Sequence, residues 1–467
     1  MDNYKKIVLF IISLTSFISP FMASSVNIAL PAIQKDFSVN AVILTWVSTA
    51  YLLSIAVCLL PSGKLSDIYG RKKIFHTGNI LFALGTFLIT FSNSIDMLII
   101  LRIFQGAGSA MGATTAMAIL ISEFPPKERG FAIGMYVGAV YTGSSVGPFL
   151  GGFFTTYLTW RSIFLINGIL WLLPIILTVK YLKSEYIEAK DQKFDLTGSL
   201  IYGVSITALI YGSSLLPSKL ALYLILPGIT GLIIFIKHQS SVKYPIFEVK
   251  LFRKNRVFTF SCMAALINYG ATFAITFLLS LYLQYIKGMS PHMAGVLLII
   301  QPVMQAFFSP LSGKFSDRFE PGLLASAGMT LTTAGLCFLI FIDSATSQIF
   351  MVFILILLGI GFGLFSSPNM NAIMGSVEKE YYGIASGVVS TMRVLGQIMS
   401  MAIATIIFAI FTGKVQIEPG MYSLFLKSIK ICFIIFSLLS LAGIYFSWTR
   451  GKIYRTIELK LKPGKDL

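Results

Sequence analysis

Ser62-Gly63-Lys64-Leu65-Ser66-Asp67-Ile68-Tyr69-Gly70-Arg71-Lys72-Lys73 sets five charges and two glycines between two long apolar runs. A second version, Ser312-Gly313-Lys314-Phe315-Ser316-Asp317-Arg318-Phe319, stands 250 residues downstream, counted from Gly63 to Gly313. A charged, glycine-marked hinge used in two places implies a duplicated chain. Around it, 56% of the 467 residues are hydrophobic and only 12% are charged, about half the charged share of an ordinary soluble domain. Charge-free runs cover Ile7 to Gln34, Phe37 to Gly63, Phe131 to Trp160, Val257 to Ile286 and Ser344 to Val377. Each is long enough to cross a bilayer as a helix, which takes ~20 residues. None alternates as barrel strands do.

The expected fold is an all-α membrane protein of fourteen spans, running from 7–30 and 41–62 through to 383–411 and 423–449. Lys5 and Lys6 precede the first run, but it exceeds the ~7–15 residues of a signal-peptide core, so it reads as the first span. With the N-terminus inside, 27 of the 36 lysines and arginines fall on inner segments and 7 on outer ones. Cytoplasmic loops are enriched in Lys and Arg, so both termini are expected in the cytoplasm of a cell-membrane protein. The net charge of +17 is therefore a topology signal and a partner for anionic lipid, not a nucleic-acid footprint.

Further repeats hold at an offset of 253: Gly106 and Gly108 with Gly359 and Gly361, Gly130 and Gly134 with Gly383 and Gly387, and Gly143 with Gly396. Six spans need roughly 200 residues, so the surplus leaves room for two extra helices, 196–215 and 219–237. The expected organisation is a six-helix bundle over 1–182, an inserted pair with its linkers over 183–255, a second six-helix bundle over 256–450 and a cytoplasmic tail over 451–467. Duplicated halves about an axis along the membrane normal are a transporter plan, with the substrate site between them.

Four motifs in order carry a resemblance to the major facilitator superfamily, in its fourteen-helix drug:proton antiporter branch. They are Asn27-Ile28-Ala29-Leu30-Pro31, the Gly63–Lys72 loop, Leu98 to Gly108 around Arg102, and Gly143-x-x-x-Gly147-Pro148-x-x-Gly151-Gly152. The resemblance covers essentially the whole chain. It implies a secondary transporter exchanging protons for a small molecule, with Asp67 governing the outward-to-inward switch and Arg102 taking part in proton movement.

The residues read for physics give the same cast. Asp67 is placed to pair with Arg71, and Asp317 repeats it. Arg102, with Gln105 on its face, must find partners or a cavity, since a guanidinium costs about 2.5–3.5 kcal/mol at a span centre. Gly143, Gly147 and Gly151 form one stripe for close helix approach, with Pro148 beside it and Tyr141 turned away toward a cavity. Arg393 lies mid-span in the thirteenth helix. Asn27, Tyr51, Asn268, Tyr269, Gln301 and Asn369 complete the candidate substrate set, with Gln305 and Asn371 as further polar groups.

All nineteen Asp and Glu fall in loops or at span ends, and the one nearest a membrane interior is Glu123. Multidrug members of the branch often carry a first-helix aspartate where Met22 stands here. This departure favours amphipathic, not strongly cationic cargo, with coupling through Asp67, Glu123 or the surroundings of Arg102. Passage of a small anionic or neutral metabolite by uniport or symport is the alternative. Cys58, Cys262, Cys337 and Cys432 are scattered singly, and His76, His238 and His292 form no cluster. Neither a metal, a cofactor nor an enzyme's chemistry is expected, and the chain reads as a monomer.

Overall fold

The computed structural model describes residues 3–124, 126–187, 189, 191–215, 218–247, 249, 252, 255–316, 319–377, 382–412 and 419–451. Among the described residues fourteen long helices follow one another: α1 Asn3–Phe37, α2 Ala41–Tyr69, α3 Arg71–Ile89, α4 Ile95–Glu123, α5 Pro126–Tyr157, α6 Trp160–Tyr181, α7 Leu196–Ser214 and α8 Leu220–Ser241. The series continues with α9 Arg256–Ile286, α10 Pro291–Ser316, α11 Pro321–Leu339, α12 Gln348–Gly375, α13 Tyr382–Phe411 and α14 Tyr422–Thr449. Among the described residues twelve of these are long and apolar enough to cross a membrane. The other two are α3, which opens on Arg71-Lys72-Lys73, and α5, which is rich in glycine, serine and threonine.

Side-chain caps fix where helices begin. Asn40, Ser94, Asn255, Ser290 and Ser347 each accept from the backbone N–H three residues on. Asp195 caps α7 from Gly198 N at 2.8 Å and also receives His238 Nε2 at 3.0 Å and Gln239 Nε2 at 2.7 Å. Burial pushes the Asp195 carboxyl up, but these bonds outweigh it and hold it below the ordinary carboxylate range.

The hinge stretch differs from the loop expected. Helix α2 runs on through Gly63 to Tyr69, and the chain breaks at one residue, Gly70 (φ +109°), before α3 starts. Only glycine is at ease at that φ. Gly63 has open space around it, so no close helix approach depends on it.

Packing repeats between the halves of the chain. A Cβ on Gly106 would stand 2.4 Å from Tyr51 O, and one on Gly359 would stand 2.5 Å from Gln301 O. Gly108 meets Gly78 O as Gly361 meets Gly328 O, and Gly143 meets Phe17 O as Gly396 meets Leu266 O. Glycines at matching positions thus let backbones touch at matching places. Helices α7 and α8 pack on each other through Gly228 and Gly231, and α7 leans on α2 and α13. The four cysteines are free and lie inside or half inside the packing.

Candidate transport cavity

A cavity of about 2120 Å³ runs between the two halves of the chain. Ligand sites usually measure ~300–1,000 Å³, so a drug-sized molecule fits with room to spare. It opens at the face that carries the α2–α3 and α8–α9 turns, where Lys64, Asp67, Arg71, Lys243 and Tyr244 line its mouth. Asn27, Ser48 and Leu298 close its deep end.

Beyond that end the far face is sealed by direct contacts. Ser280 Oγ of α9 donates to Asn27 O at 3.0 Å, and Gln284 Nε2 donates to Ile28 O at 3.1 Å. Pro31 explains why Asn27 O is available: proline has no N–H, so the carbonyl four residues earlier lacks its helical donor. Thr405 Oγ1 of α13 donates to Thr45 Oγ1 of α2 at 2.8 Å. Helices α5 and α10 meet through backbone: a Cβ on Gly152 would stand 2.5 Å from Pro291 O, and one on Gly295 would stand 2.2 Å from Pro148 O. On its other side, α5 presses the glycine stripe onto α1, with Gly147 against Phe21 O and Ser24 and Gly151 against Ser25.

The expected residues separate into two groups. Asn27, Tyr51, Tyr141, Tyr269, Gln301, Gln305, Asn371 and Arg393 line the cavity, as do Asp67, Arg71, Arg102 and Pro148. Tyr141 OH donates to Ser366 Oγ of α12 at 2.8 Å, joining the halves across the cavity. Tyr51 OH donates to Ser109 Oγ at 3.0 Å.

Gln105, Asn268 and Asn369 lie away from the cavity. Gln105 is fully buried, donating to Thr86 Oγ1 at 2.6 Å and accepting from Arg102. Asn268 is fully buried, and neither atom of its amide has a partner among the described residues. Asn369 donates to Ser261 O at 3.1 Å and accepts from Arg450 Nη1 at 2.8 Å. Arg450, which the sequence reading left at the margin of a tail, is buried at the end of α14. It ties α9, α11, α12 and α14 through Ser261, Pro321 O, Asn369 and Ser447.

Arg102 does not reach outward to water. It is 1% exposed, donates through Nε to Val47 O at 2.9 Å and through Nη1 to Gln105, and lies 4.1 Å from the centre of the Tyr51 ring. Hydrogen bonds to a charged group are worth about 1.5–3 kcal/mol each, and a desolvated cation–π contact about 2, which together offset its burial. Leu355, at the matching place of the second half, is equally buried.

At the mouth, Arg71 Nη2 pairs with Asp67 Oδ1 at 3.2 Å, as the i,i+4 spacing foretold. Arg71 also donates to Ser122 Oγ. Glu123 accepts from Tyr4 OH at 3.2 Å and is not a cavity residue. Asp317 lies outside the described residues. Among the described residues, five basic side chains line the cavity (Lys64, Arg71, Arg102, Lys243, Arg393) against one acidic, Asp67. No group of His, Cys, Asp and Glu there is arranged to hold a metal ion.

The model of the Major Facilitator Superfamily matches residues 12–401 and 261–460. The chain belongs to this family. It is similar to the riboflavin transporter RibZ of Clostridioides difficile, 32% identical over 418 residues, which cover 88% of this chain and 89% of the relative. It is similar also to the multidrug resistance protein Stp of Mycobacterium tuberculosis, 30% identical over 84% of this chain and 74% of the relative. A third relative is the tetracenomycin C resistance and export protein of Streptomyces glaucescens, 27% identical over 84% of this chain and 73% of the relative. In fold it matches a bacterial homologue of the human lysosomal transporter Spinster, solved inward-facing and unoccupied, with a TM-score of 0.71, 15% identity and full coverage of both chains. This superfamily member is a multi-pass membrane transporter and not an enzyme, and its cargo is a small molecule.

Proposed function

We propose that this transporter exports amphipathic small molecules that are neutral or anionic, driven by proton entry, by alternating access between two six-helix bodies. In this reading all fourteen helices span the cell membrane. Residues 1–182 and 256–450 form the bodies, 183–255 the inserted pair with its linkers, and both termini, including the 451–467 tail, lie in the cytoplasm. The basic loops beside the cavity mouth support that orientation, so the state seen is open inward and sealed outward. The protein works as a monomer, with anionic lipid against its basic face.

One observation carries the choice of cargo: five basic side chains and one carboxylate line the cavity among the described residues. A cation held against the membrane-embedded wall needs a carboxylate partner, and Asp67, at the mouth, is already paired with Arg71. Arg393 stands half-buried on the wall near Tyr269, placed to receive an anionic or hydrogen-bond-accepting group. Asn27, Tyr51, Tyr141, Tyr269 and Gln301 offer the neutral contacts, while Asp67, Arg71 and Arg102 serve the switch.

The test is transport by purified protein in liposomes under an inward proton gradient. An anionic fluorescent amphiphile moves, ethidium moves at least about tenfold more slowly, and a protonophore abolishes the movement. Ethidium moving as fast as the anion would overturn the cargo assignment. The similarity to a riboflavin transporter supports a second reading, passage of a neutral metabolite. Movement that survives the protonophore would favour it.

A further inference from the structure

Arg393 stands three turns into α13, roughly 16 Å from the start of the helix, half-buried on the cavity wall. Among the described residues it donates no hydrogen bond and joins no ion pair. The other two arginines buried in the helices are fully engaged. Arg102 donates to Val47 O and Gln105, and Arg450 donates to Ser261, Asn369, Pro321 O and Ser447. An ionised group at such depth needs water or a counter-charge, and cargo that displaces the water has to bring the counter-charge.

The surroundings of this cation are aromatic. Tyr269 of α9 lies close enough for the Arg393 charge to act on its hydroxyl. Gly396, one turn beyond Arg393, makes room for it, since a Cβ there would stand 2.9 Å from Tyr269 Cβ. The Tyr269 ring meets Phe362 of α12 edge to face, with centroids 6.0 Å apart and planes at 62°. Tyr141 reaches in from the first half, where its hydroxyl donates to Ser366, one turn beyond Phe362. All four side chains line the cavity. The repeat puts nothing like this on the opposite wall: Val140 stands for Arg393 and Ser109 for Phe362, each 253 residues earlier. Pro20 stands for Tyr269, counted from Phe17 and Leu266, whose carbonyls meet the matching glycines. The first half does bring Tyr51 to Arg102, but there the ring lies on a guanidinium already bonded.

We propose that this corner selects aromatic acids: a flat ring lies against Tyr269 and Phe362 while an ionised carboxylate or sulfonate sits on Arg393. The inference rests on the anionic-cargo reading above and narrows it. A guanidinium meets such a group with two parallel charge-assisted hydrogen bonds. A pair of rings favours a third ring over an alkyl chain of equal area, because aromatic contacts add to simple burial. Tyr141 belongs to the first half and the other three to the second, so a molecule in the corner touches both.

The test is equilibrium binding to the purified full-length protein in an uncharged detergent, with empty micelles as background. Three probes separate charge from ring: dansylate, an aromatic sulfonate; dansylamide, its uncharged analogue; and octanesulfonate, an anion without a ring. The first two are read by their fluorescence and the third by competition. Dansylate binds about tenfold more tightly than either of the others. Arg393→Gln weakens dansylate about tenfold and changes dansylamide less than twofold. Arg393→Lys keeps the charge without the fork and recovers part of the loss. Phe362→Leu weakens both dansyl probes about threefold and leaves octanesulfonate unchanged. Arg393→Gln weakening both dansyl probes alike would overturn the inference. Octanesulfonate binding as tightly as dansylate would overturn it and leave anionic cargo standing, whereas dansylamide binding as tightly as dansylate would overturn both. No proton gradient is applied, so failure of the proposed driving force is a separate result.

Discussion

The α5–α10 seam and the α2–α13 seam stand at matching places in the two halves, yet they are closed by different chemistry. Gly152 and Gly295 meet the opposite helix as bare backbone. Their counterparts by the repeat are Thr405, 253 residues after Gly152, and Thr45, 250 before Gly295, and these share a hydrogen bond of 2.8 Å. The same contrast runs deeper: Arg102 is matched by Leu355, and the Gly143–Gly147–Gly151 stripe by Gly396, Ser400 and Ala404. Duplication has kept where backbones approach and let the groups at the contact diverge. One seam depends on the absence of atoms and the other on a directional bond.

Putting bulk into the glycine seam tests this most severely. Gly295→Val adds atoms where even a Cβ would stand 2.2 Å from Pro148 O. Overpacking of this kind costs about 1–3 kcal/mol, so the sealed state loses roughly fivefold to 150-fold in population. Transport in vesicles falls accordingly while the protein still purifies as a folded species. Normal transport would mean that the seam yields without cost. A smaller effect is expected at Arg102. Arg102→Leu copies the second half, trading lost hydrogen bonds for relief of a buried charge. The melting temperature stays within about 5 °C while transport falls about tenfold. A steep loss of stability with residual transport in proportion would make Arg102 a packing residue only. The smallest effect belongs to the threonine seam. Thr405→Val keeps the shape and removes one neutral bond across the seam, along with a local one to Met401 O, and the seam bond is worth about 1 kcal/mol, so transport changes by about fivefold or less. A loss as large as that of Gly295→Val would erase the distinction between the seams.

Much of this was legible in the residues. Long apolar runs gave the helices, and glycines at constant offsets mark contacts that recur as pairs, Gly106 with Tyr51 and Gly359 with Gln301. The i,i+4 pair Asp67–Arg71 was readable because helix geometry alone brings its members together. What stayed hidden is tertiary. Glu185 lies in a connector with no periodicity, and nothing near it in sequence announces that its carboxylate accepts from Lys72 N and Lys73 N at the start of α3. Arg450 follows the last apolar run, just before the basic tail, and nothing in the sequence shows that it is buried and ties four helices together. Polar groups within spans look alike in sequence. Gln301 faces the cavity and Gln105 faces an arginine, and only packing separates them.

The proline at position 31 has a consequence for how the far side comes apart. When Ser280 leaves, the Asn27 carbonyl has no donor waiting in its own helix, because residue 31 carries none. A bare acceptor at that depth is costly. In the proposed outward swing this one oxygen therefore needs a new donor as soon as the far side opens, and a water molecule is the donor that opening admits.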